Sequence, residues 1–98
     1  MRVVNLKNSS YDVYIGRENK TYNLPHSKWA NPYNLKDYSL EDSLKLYEEY
    51  IRTSNLYNSL DELKDQTLGC WCKPKKCHGD VLIALYNEKL LNYLIIGD

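Results

Sequence analysis

The segment Cys70-Trp71-Cys72-Lys73-Pro74-Lys75-Lys76-Cys77-His78-Gly79-Asp80 most constrains how this chain folds. It carries all three cysteines, one of the two tryptophans and one of the two histidines. An apolar stretch ends just before it at Leu68, and an amphipathic segment begins just after it at Val81. The run therefore predicts a strand-to-helix connection, the kind of place where small α/β folds keep a site.

The flanking elements follow from local pattern. Arg2-Val3-Val4-Asn5-Leu6 is short and β-branched and runs into Lys7-Asn8-Ser9-Ser10, which predicts a strand and a turn. Asp12-Val13-Tyr14-Ile15 predicts a second strand, stopped by Gly16. From Arg17 to Tyr38 no period persists, and Pro25, Pro32 and several asparagines break the segment; a loop that long is functional or ordered by its own side chains. Ser39 predicts a helix start, with Asp42 as an approximate capping-box partner and Leu40, Leu44, Tyr47 and Ile51 on the buried face. A second helix is expected over residues 56–63, with Ser59 and Glu62 as its capping pair and Leu56, Leu60 and Leu63 as its apolar stripe. Residues 66–72 read as a strand, and residues 78–93 as a last helix with Val81, Leu82, Leu85, Tyr86 and Leu90 facing inward. The expected fold is α/β: a small sheet of about three or more strands, partly parallel, with three helices packed on it.

At 98 residues the chain is sized for a single domain with a modest core. Thirteen basic and thirteen acidic side chains cancel, which disfavours a general nucleic-acid or anionic-membrane binder, since both need a basic surplus. Local attraction for anions remains open through Lys73, Lys75 and Lys76. Crowded thiols, odd in number, predict a reducing, cytosolic setting rather than a disulfide framework. No stretch approaches the roughly 20 apolar residues that span a bilayer, and the first residues lack the apolar core of a secretory signal. Tyrosine without phenylalanine, beside abundant Asn, Lys and Ile, suggests AT-biased codons.

Three kinds of chemistry are open to the cysteine run. Within a strand, Cys70 and Cys72 share a face while Trp71 takes the other; with Cys77 and His78 they compose a Cys₃His zinc set. Adjacent Cys77 and His78 are poor co-ligands and the spacing differs from paired Cys-x-x-Cys knuckles, so no metal is assigned and zinc stays the alternative. In the second reading Cys72 or Cys77 is a nucleophile or redox thiol, favoured by the lysines and the helix start, with His78 moving protons. Cys70, in mid-strand, reads as core. In the third, the amides from Cys77 to Asp80 seat a phosphate, with Gly79 permitting close approach. The competing reading has Asp80 cap its own helix.

Other candidates lie in the long loop. Arg17, just beyond the strand-ending Gly16, suits a bidentate grip on phosphate or carboxylate, or else a surface ion pair. Trp29 stacks on a ligand or anchors the loop in the core. Asn31 offers an amide to read polar edges, Lys28 offers charge, and His26 reads as surface loop.

Val3-Val4-Asn5-Leu6, Val13-Tyr14-Ile15-Gly16-Arg17, Ser27-Lys28-Trp29-Ala30-Asn31-Pro32-Tyr33 and Leu68 to Cys72 with Cys77-His78-Gly79-Asp80 together resemble the family called domain of unknown function 4326, from Val3 to about Asn87. Ala30 stands where that family usually has glycine, and Tyr33 where it usually has phenylalanine. The resemblance implies occurrence in phages, bacteria and large viruses, hence a host cytoplasm if viral, and it brings no activity. A weaker likeness to the family called domain of unknown function 488 also pairs a strand-ending Cys with a helix-opening Cys-His. Gly79 replaces the arginine usual there, so only an α/β nucleotide-binding type of fold is implied, by analogy.

The expected function is a pocket for a phosphate-bearing, nucleotide-like ligand, lined by Gly16, Arg17, Lys28, Trp29, Asn31, Gly79 and Asp80, with Cys72, Cys77 and His78 as candidate catalytic groups. Whether such a ligand is turned over is open. The rivals are a zinc-stabilised module that binds nucleic acid or protein, and a non-catalytic protein that sequesters a signalling nucleotide.

Overall fold

The computed structural model describes residues 1–96. Three short strands, β1 (Arg2–Asn5), β2 (Val13–Tyr14) and β3 (Thr67–Cys70), form one sheet in the order β1-β3-β2. Both outer strands run parallel to β3, with Val3 and Val13 each in register with Leu68. The sheet, with α1 (Leu40–Thr53), a 3₁₀ helix (Asn55–Leu63) and α2 (His78–Ile96), makes the protein mixed α/β, with the parallel crossover that the element order implies.

The last strand in sequence thus lies at the centre, and both of its faces are used. Leu68 and Cys70 point to one face and are fully buried among Tyr47, Ile51, Leu82 and Leu85 of the helices. Gly69 points to the other, where a Cβ would lie 2.7 Å from the ring of Tyr11. The short return from β1 to β2 crosses that face, and the missing side chain is what lets Tyr11 lie flat on the strand.

β3 stops at Cys70, two residues before the expected end at Cys72. The cause is Asn5, whose side-chain amide donates to the carbonyls of Trp71, at 3.4 Å, and Lys73, at 2.8 Å. Those carbonyls are drawn out of ladder geometry, and a turn follows, closed by Lys75 N–H on the Cys72 carbonyl at 2.8 Å.

Ser39 caps α1 as expected, its hydroxyl accepting from the Asp42 amide at 3.1 Å. The buried face is Ser43, Leu44, Tyr47 and Ile51; Leu40 in the first turn is 40% exposed and does not join it. The second helix is 3₁₀ rather than α, and Ser54 caps it by accepting from Leu56 N–H. Ser59 and Glu62 therefore lie inside the element, and Glu62 is drawn off to Lys28. Leu60 and Leu63 are buried there, and Leu56 packs against the core.

α2 opens with a reversed half of a capping box. Asp80, in its first turn, accepts the Cys77 N–H at 3.0 Å and holds Lys73 Nζ with both carboxylate oxygens, at 2.7 and 2.8 Å. Leu82 and Leu85 are buried and Val81 and Tyr86 pack partly on the core, whereas Leu90 is 44% exposed. The inward stripe ends before Leu90 because the helix outruns the sheet. Among the described residues no helix is long and apolar enough to cross a membrane.

Candidate functional site

The carboxyl ends of β2 and β3, the first turns of α1 and α2, and the long loop surround a cavity of about 350 Å³. In a parallel sheet this is the end at which ligands collect. A second cleft of about 480 Å³ between α1 and the start of α2 is larger, but Leu40, Glu41, Leu44, Lys45, Glu48, Lys76 and Val81 bring no thiol, imidazole or aromatic ring to it. The chemistry lies in the first.

Its aromatic wall is tied together by one phenol. Trp71 Nε1–H donates to Tyr14 Oη at 2.9 Å, and that hydroxyl donates to the Arg17 carbonyl at 2.6 Å. Gly16 makes the fold-back possible, since a Cβ there would lie 2.6 Å from Tyr14 Cζ. Tyr22 leans on the Trp71 ring at 5.1 Å.

The polar wall is built from asparagine turns. Asn31 Oδ1 accepts from Tyr33 N–H at 2.9 Å while its Nδ2 donates to Ser43 Oγ at 2.9 Å, and Ser43 donates to the Tyr33 carbonyl at 2.6 Å. Arg17 Nε and Nη2 both donate to the Asn31 carbonyl, at 3.2 and 2.8 Å. These bonds leave the rest of the exposed guanidinium without an ion pair among the described residues. Asn19 Oδ1 accepts from Tyr22 N–H, and Asn34 Oδ1 from Lys36 and Asp37 N–H. With their carbonyls so engaged, both carboxamides keep NH₂ donors for the cavity they line.

The floor holds sulfur and imidazole. Cys70 and Cys77 are buried with their sulfurs 3.3 Å apart, and Cys72 is exposed. Either of the Cys70 and Cys77 thiols can donate to the other. Hydrogen bonding by the neighbouring thiols of Cys72 and Cys77 draws the Cys70 thiol well below the usual range, against the opposing effect of burial. The same bonds, followed by burial and by the Cys70 charge, push Cys72 and Cys77 up. The cluster therefore yields one proton readily and keeps the others. His78 Nε2 lies 2.7 Å from the Ile15 carbonyl, an acceptor only, so Nε2 bears the proton. Burial holds the His78 pKa down, and the neutral ring keeps a lone pair on Nδ1.

Gly16, Arg17, Asn31, Cys70, Cys72, Cys77 and His78 thus line one cavity, whereas four candidates do not. Trp29 is 2% exposed within the core, its carbonyl taking the Tyr47 hydroxyl at 2.7 Å. Lys28 lies over the Trp29 ring and binds Glu62 at 2.7 Å. Gly79 serves packing, since a Cβ there would lie 2.7 Å from Val3 Cγ2 and 2.9 Å from Ile15 Cδ1. Asp80 caps its helix and pairs with Lys73. The phosphate seat expected at the start of α2 is partly filled from within: Cys77 N–H goes to Asp80, and Asp80 N–H to the Cys77 carbonyl. For the zinc alternative, His78 Nε2 is spent on Ile15, and among the described residues no three His, Cys, Asp or Glu side chains are arranged to hold a metal ion.

Tyr14, Asn19, Asn34, Ser43 and Trp71 were missed as cavity residues. Ser43 carried a signal, a small polar residue on an otherwise apolar helical face. Trp71 reaches the cavity because β3 ends at Cys70, so strand alternation does not set its side against the sulfurs.

The chain is 46% identical over 86 residues to "Uncharacterized protein R718" of Acanthamoeba polyphaga mimivirus, across 76% of this chain and 66% of that protein's length. It is 32% identical over 92 residues to "Uncharacterized 12.4 kDa protein in nrdA-td intergenic region" of Enterobacteria phage T4, across 89% of this chain and 78% of that protein. No solved structure matches. Residues 2–88 match the family described as "Domain of unknown function (DUF4326)", and the chain belongs to that family.

Proposed function

We propose that the cavity binds a small, phosphate-bearing, nucleotide-like ligand in the host cytoplasm. The observation that carries this reading is the donor set: Arg17, Asn19 and Asn34 line a cavity to which Trp71, Tyr33, Leu35 and Leu44 bring aromatic and apolar side chains. A ligand suited to it is rich in acceptor oxygens at one end and flat and apolar-faced at the other. The anion sits on Arg17, because the start of α2 is already partly satisfied and Lys28 and Lys73 are paired elsewhere. Glu18, which also lines the cavity, disfavours a second anionic group beside Arg17.

A thermal-shift screen of nucleoside monophosphates, cyclic nucleotides and the matching nucleosides tests this. Ligand at about a hundred times its Kd adds roughly 2.7 kcal/mol of stability. An Arg17→Ala variant is expected to lose about tenfold or more in affinity for the phosphorylated member of a pair, and little for the nucleoside. Equal losses for both, or no stabilisation by any nucleotide, reject the reading. Bound ligand recovered unchanged after long incubation marks a sequestering protein rather than an enzyme.

A further inference from the structure

Three thiols converge on the cavity floor, and two of them already touch. Cys70 ends the central strand, Cys77 precedes the first turn of α2, and their sulfurs are 3.3 Å apart. A disulfide requires the two to close to about 2.05 Å, an approach of little more than an ångström. Both are almost wholly buried, yet both line the cavity, so a small electrophile that enters it reaches them while a bulky one does not. The contact lets either sulfur donate to the other, and hydrogen bonding by the neighbouring thiols favours the thiolate at Cys70, which makes it the attacking sulfur.

We propose that Cys70 and Cys77 form a redox-active pair that reduces a small hydroperoxide at the expense of becoming a disulfide. Cys70 sulfur, as thiolate, attacks one peroxide oxygen. The O–O bond breaks, Cys70 becomes a sulfenic acid, and the departing oxygen takes a proton from solvent to leave as water or alcohol. Cys77 sulfur then attacks Cys70 sulfur. The S–O bond breaks, the hydroxyl leaves as water with the Cys77 proton, and two electrons have passed from the thiols to the peroxide. An external dithiol restores the pair. This chemistry stands apart from the nucleotide reading, since no such ligand takes part.

The test uses the reduced protein with one equivalent of hydrogen peroxide, alkylation of the remaining thiols and peptide mass spectrometry. Trypsin cuts after Lys75 and Lys76 and so separates Cys77 from Cys70 and Cys72. The expected product is a disulfide joining the two peptides, formed at least about tenfold faster than in the urea-unfolded chain. It persists in Cys72→Ser, which leaves Cys70 and Cys77 as its only partners. In a Cys72→Ser/Cys77→Ser variant, which has no second thiol, Cys70 instead accumulates as a sulfenic acid trapped by dimedone, with circular dichroism confirming that both variants fold. Loss of the link in a folded Cys72→Ser variant, or oxidation no faster in the native than in the unfolded chain, overturns the proposal.

Discussion

His78 illustrates how one residue is committed by its surroundings. Its Nε2–H is spent on the Ile15 carbonyl and its ring meets Tyr47 edge-on at 5.0 Å. Burial is the largest influence on its pKa and holds it below the ordinary 6.5, outweighing the carbonyl bond and the Cys70 charge, which act the other way. Near and below 6.5 the unfolded chain therefore takes up a proton that the native protein resists. This contribution to stability is full above the unfolded pKa and is lost as pH falls through that range toward the folded pKa, at up to about 1.4 kcal/mol per pH unit. Urea denaturation between pH 7.5 and 5 is expected to show the loss in the wild type and a shallower one in His78→Gln, whose amide can still donate to Ile15. Parallel curves would reject a buried neutral imidazole. Lys28 and Trp29 are likewise committed, Lys28 to Glu62 and Trp29 to the core, the second of the two roles that the sequence leaves open to it.

At the level of elements, the junction between sheet and α2 depends on Gly79. Replacement by alanine would favour the helix by up to about 1 kcal/mol from propensity. The added Cβ, however, meets Val3 and Ile15 at under 3 Å, and overpacking of that kind costs about 1–3 kcal/mol. Packing is expected to win, so Gly79→Ala lowers the denaturation midpoint; an unchanged or raised midpoint would show that the junction yields. The elements themselves were largely legible, since β-branched runs, the Ser39 cap and the leucine stripes are local signals. Their ends were not, because long-range bonds set them: Asn5 stops β3, and Ser54 both closes α1 and opens the 3₁₀ helix. The site was legible where it follows a strand, at Gly16-Arg17 and the cysteine run. It was illegible across the aperiodic loop, where asparagine turns rather than any repeat decide which side chains reach the cavity.

Across the whole molecule, the extents of 46 × 30 × 23 Å reflect a helix longer than the sheet it covers. The 19 residues of α2 span about 28 Å at 1.5 Å per residue, roughly twice the length of a four-residue strand. Its first half is core: Leu82 and Leu85 are at most 2% exposed. Further along, Arg52 of α1 reaches across to Glu88 with two bonds, at 2.5 and 2.9 Å, and beyond that point Leu91, Leu94 and Ile95 are 56%, 67% and 71% exposed. Stability should therefore be graded along this one helix. Leu85→Ala deletes a fully packed side chain and is expected to cost about 2–5 kcal/mol, a large share of the total stability of a small domain. Leu94→Gln removes no packed contact and is expected to stay within about 0.5 kcal/mol of the wild type. Both substitutions sit in one continuous helix, so helix propensity cannot produce the contrast. Comparable losses at the two positions, measured by chemical denaturation at several protein concentrations, would show that the far end of α2 is covered in solution.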